Sequence, residues 1–77
     1  MNKNRRSKLR EAKSLLGKAV SIVTDVRDDE QEAFDNLPEG LQESERFSKM
    51  EEAIDGLEDA ISSIESASEN IENAMGG

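Results

Sequence analysis

The sequence has no cysteine and no histidine among its 77 residues. Their absence excludes disulfide bridges, thiolate zinc sites and imidazole as a general base or metal ligand. Aromatic residues are confined to Phe34 and Phe47, and proline to Pro38. One stretch imitates a secretory signal: the basic start is followed by "SLLGKAVSIV". Lys18 interrupts it, however, and the stretch is too short to cross a bilayer, so the expected location is cytoplasmic.

Charge is plentiful but segregated. The formal net charge is −8, with 36% charged residues. Lys3, Arg5, Arg6, Lys8, Arg10, Lys13 and Lys18 stand against Glu11 in the first 18 residues, a net of 7 − 1 = +6; the remainder carries 3 − 17 = −14. An overall field of that sign repels nucleic acid and anionic membrane, so neither is an expected partner. A domain of this length buries a modest core and often depends on association for stability.

Apolar residues recur at spacings of three and four. Leu9, Ala12, Leu16, Ala19, Val23, Val26, Ala33 and Leu37 mark one stripe, broken at Glu30. Phe47, Met50, Ile54, Leu57, Ile61, Ile64, Ile71 and Met75 mark a second, broken at Ser68. These are heptad seams of two long helices. Pro38 and Gly40 in "DNLPEGLQES" force a break, and Ser44 is a natural N-cap. The expected architecture is an all-α antiparallel two-helix hairpin spanning 1–77, with a helix over about 4–36, a loop over about 37–43 and a helix over about 44–75. Pairing residues whose numbers add to 80 closes both seams without a slip, placing Leu16 against Ile64 and Val23 against Leu57. Lys13 then lies near Glu65 and Arg27 near Glu51.

Leu15, Ile22, Ala53, Ala60 and Ala67 fall outside that seam. A stripe of this width exceeds what two helices need, and alanine permits close approach. We therefore expect these five residues to form an interface through which hairpins associate into a four-helix bundle or larger oligomer.

No nucleophile, glycine-rich phosphate loop or pocketed carboxylate pair can be assembled, so the chain reads as a non-enzyme without a cofactor or bound metal. The acidic run "DVRDDEQEAFD" lacks the alternating ligands and central glycine of a calcium loop. Its Asp28, with Asp55 and Asp59 from the second helix, instead supplies a negative surface for a basic protein or a DNA-like decoy. Arg5, Arg6 and Arg10 offer the opposite chemistry, forked donors for a small phosphorylated ligand. The two groups define the candidate partner sites.

The segment "DEQEAFDNLPEGLQESERFSKMEEAIDGLEDAIS", most distinctively "AFDNLPEGLQESER", resembles small acidic helical proteins of phages and prophages of Gram-positive bacteria. The resemblance implies a phage accessory protein in the host cytoplasm that inhibits host defence by blocking a defence protein or sequestering its signal. A DNA mimic, a nucleotide sponge and a structural assembly factor are the alternatives.

Overall fold

A computed structural model describes residues 1–41 and 44–76 of the chain. Gln42 and Glu43 of the expected loop, together with Gly77, lie outside the described residues. The architecture is all-helical: α1 (Lys3–Asp35) and α2 (Glu45–Ala74) pack against each other, and no strand occurs among the described residues. The result is a rod of 59 × 15 × 15 Å.

Local chemistry sets the helix ends. Asn2 caps α1 by accepting a hydrogen bond from the Arg5 N–H at 2.8 Å, which satisfies one of the unpaired donors at a helix start. At the other end the Asn36 N–H returns to the Glu32 carbonyl, two residues before the proline that cannot continue the helix. A short 3-10 turn (Glu39–Leu41) follows, and the Ser44 hydroxyl both donates to the Leu41 carbonyl and accepts from the Phe47 N–H. One serine thus closes the turn and opens α2.

The seam of α2 runs through Phe47, Met50, Ile54, Leu57, Ile61, Ile64, Ser68, Ile71 and Met75, all buried or half-buried. That of α1 is rolled relative to the expected one. Its half-buried row includes Leu9, Lys13, Leu16, Val20, Val23, Arg27, Glu30 and Phe34; of the other expected positions Ala12 and Ala19 are also half-buried, whereas Ala33 is exposed and Val26 is 50% exposed. Leu37 lies beyond the helix altogether.

Two contacts explain the roll. The rings of Phe34 and Phe47 stack at 4.7 Å, anchoring the loop end. Lys13 and Arg27 lay their apolar stems along the seam while their charged heads reach Glu72 and Glu58. Both ion pairs join residues whose numbers add to 85, at the reach of two long side chains, whereas the Phe34–Phe47 stack joins residues adding to 81. The basic residues therefore reach one heptad beyond the expected Glu65 and Glu51, to Glu72 and Glu58.

Burial in this hairpin is slight. Met50 at 8% exposure and Ile54 at 5% are its only buried residues among those described. Three of the eight α1 seam positions carry charge, so the seam excludes water poorly.

Candidate interaction surfaces

The seam divides the remaining surface into two unlike faces. On each helix the residues just before the seam's first heptad position turn about 90° from the partner helix, since successive residues advance by about 100°. In an antiparallel pair those positions fall on the same side of the hairpin. From α1 this side receives Ala12, Leu15, Ala19, Ile22 and Val26; from α2 it receives Ala53, Gly56, Ala60, Ser63, Ala67 and Ala74. Leu15 is 57% exposed and Ile22 64%, the largest values for any leucine or isoleucine among the exposed large hydrophobics. Ala60 and Ala67 are half-buried, Ala53 exposed. The five residues expected to form an interface therefore share one face, which carries large side chains on one helix and small ones on the other.

The opposite face carries carboxylates. Glu51, Glu58, Glu65 and Glu72 recur every seven residues along its α2 edge. Arg27 serves this face from the seam, its guanidinium 2.9 Å from Asp28 and 4.0 Å from Glu58. Its Nε is buried without a hydrogen-bond partner. Lys13 pairs with Glu72 in the same manner. Asp28 and Asp55 lie at one level on this side, both exposed; Asp59 is also exposed but turns away from the seam onto the back of α2. The three aspartates thus occupy two surfaces.

Arg5, Arg6 and Arg10 are exposed in the first turns of α1, and none makes an ion pair among the described residues. None of them lines the groove at the loop end or the smaller cleft beside Arg27. At the loop end an open groove is lined by Glu30, Glu45, Arg46, Lys49 and Met50, its charge partly satisfied by the Lys49–Glu45 pair at 3.2 Å. Sequence reasoning did not single out this groove, because Glu30 reads there only as a break in a seam. Among the described residues no three carboxylates gather as a metal site requires, and no helix is long and apolar enough to cross a membrane.

Comparison with known proteins gives no match to any protein-family model, curated protein or solved structure.

Proposed function

We propose that this protein is a non-enzymatic binding protein that associates with itself through the Leu15–Ile22–alanine face and engages a basic host protein through its acidic face. The observation carrying this reading is the separation of the surface into an exposed apolar side and a carboxylate side, on a rod with almost no interior. A chain so built has little means of holding a small reactant out of water, whereas it presents two long surfaces to macromolecules. The likeness of the middle segment to phage proteins supports a role as an inhibitor of host defence, acting in the host cytoplasm.

A second reading rests on the unpaired state of Arg5, Arg6 and Arg10, which suits sequestration of a phosphorylated signal. The experiment is a pull-down from a bacterial host lysate with three proteins: the wild type, Asp28→Asn with Asp55→Asn and Asp59→Asn, and Arg5→Gln with Arg6→Gln and Arg10→Gln. A protein inhibitor loses its captured partner in the aspartate variant and with rising salt, because long-range attraction is screened. Loss confined to the arginine variant, with helical circular dichroism preserved, favours the signal-binding reading.

A further inference from the structure

We infer that the occupant of the apolar face is a second copy of this chain, laid antiparallel so that α1 packs on α1 of its partner and the two loop ends lie at opposite ends of the assembly. The inference rests on the self-association reading above and adds the orientation and register. Area calls for a partner first. The lone hairpin exposes 5712 Å², whereas a folded monomer of its 8.5 kDa mass exposes about 4,700 Å². The excess, about 1,000 Å² per chain, matches the roughly 800 Å² that each partner buries in a standard interface.

Charge selects the orientation. Residues 3–18 of α1 carry 7 − 1 = +6, and residues 25–35 carry 1 − 6 = −5. Laying two α1 helices parallel sets like halves together, while laying them antiparallel sets each basic half against an acidic one. The apolar stripe is also placed for this arrangement. It runs from Ala12 to Val26, centred on residue 19, which is the midpoint of α1. Rotation about a dyad near that level lays most of one stripe over the other.

Among antiparallel registers, facing residues whose numbers add to 41 satisfy the pattern best. Leu15 then meets the partner's Val26, and Ala19 meets the partner's Ile22, large against small at the centre. On the solvent flank of the stripe Lys18 meets the partner's Asp25, twice by symmetry; both are exposed in the lone hairpin. One like pair, Glu11 opposite Glu32, falls at the rim, where water and salt screen it. Slipping one heptad to a total of 34 sets Lys18 on Lys18 and Glu11 on Asp25. At 41 Asp29 meets the partner's Ala12 only at the end of the stripe, whereas slipping the other way, to 48, moves Asp29 inward against Ala19, between apolar levels. The small residues of α2 contribute by letting the α2 helices approach in the second layer.

The absence of native cysteine makes the test clean. A single nitroxide label at Ser7→Cys, an exposed position facing away from both helices, is measured by dipolar spin resonance alongside mass by light scattering. The antiparallel register separates the two labels by 27 residues, or about 40 Å at the helical rise; a parallel dimer brings them within about 20 Å. In the second arm Lys18→Glu raises the dissociation constant about tenfold, as does Asp25→Lys, and the double variant restores it, because two symmetric flank pairs are reversed and then remade. A dimer mass with a distance near 40 Å and rescue in the double variant supports the proposal. A dimer with a short distance, or without rescue, overturns the orientation and leaves self-association standing. A wild-type mass of one chain at micromolar concentration overturns both.

Discussion

Replacing Leu15 and Ile22 together by glutamate separates association from hairpin formation. Neither side chain contributes to the α1–α2 seam, and their exposures of 57% and 64% measure the apolar surface available to a partner. Full burial of such a side chain is worth about 1.5–3 kcal/mol, so covering the exposed fraction of both contributes about 2–3.5 kcal/mol per chain and about 4–7 kcal/mol per dimer. Loss of that amount weakens a dimer by about three to five orders of magnitude. Four glutamates brought into one interface weaken it further through desolvation. Sedimentation velocity from 1 µM to 1 mM, with far-ultraviolet circular dichroism on the same samples, reads both effects. We expect a monomer throughout, with helix content below that of the wild type, because a hairpin whose only buried residues among those described are Met50 and Ile54 is marginal by itself. A variant that keeps the wild-type mass would refute the placement of the interface; one that is monomeric with undiminished helix would refute the claim that association sustains the fold.

Two further outcomes test the hairpin. Cysteines at Val23 and Leu57 should form a disulfide within one chain under mild oxidation, whereas Val23 with Ile64 should not; gel mobility with and without reductant distinguishes them, and the reverse result overturns the register. Arg27→Leu should raise the thermal midpoint, by about 1 kcal/mol of stability, since it removes a part-buried charge with an unpartnered Nε from an otherwise apolar level; a clear loss of stability would mean that its pairs with Asp28 and Glu58 outweigh desolvation.

The hairpin was legible in the sequence because its signals agree. In α2 each seam position but one is Phe, Met, Leu or Ile, so the register has a single solution, and Pro38 with Ser44 marks the break. The seam of α1 was not legible from hydropathy. Leu9, Leu16 and Val23 belong to both possible stripes, and the choice lies between Ala12, Ala19, Val26 and Ala33 on one side and Lys13, Val20, Arg27 and Phe34 on the other. Counting apolar residues favours the first set. Packing draws in the second as well, because Phe34 finds Phe47 and the stems of Lys13 and Arg27 cover apolar surface while their heads find carboxylates; Ala12 and Ala19 stay half-buried, and Val26 and Ala33 turn outward. The same roll brought Val26 onto the outer face beside Leu15 and Ile22. Candidate partner residues fared differently: the pattern identified Asp28, Asp55 and Asp59 as a set, but the helical phase distributes them over two surfaces.

Of the four glutamates that recur along α2, Glu58 and Glu72 are engaged by Arg27 and Lys13, while Glu51 and Glu65 have no cationic neighbour among the described residues. Pairing every second tooth doubles the spacing of the free ones, from seven residues to fourteen. On a helix that is about 21 Å. A partner carrying two cations about 21 Å apart would meet both free glutamates of this row at once, whereas one carrying them at half that distance would meet one free glutamate of the row and one already held by Arg27 or Lys13. Along this row the spacing of free charge is therefore set by which carboxylates the hairpin's own cations occupy.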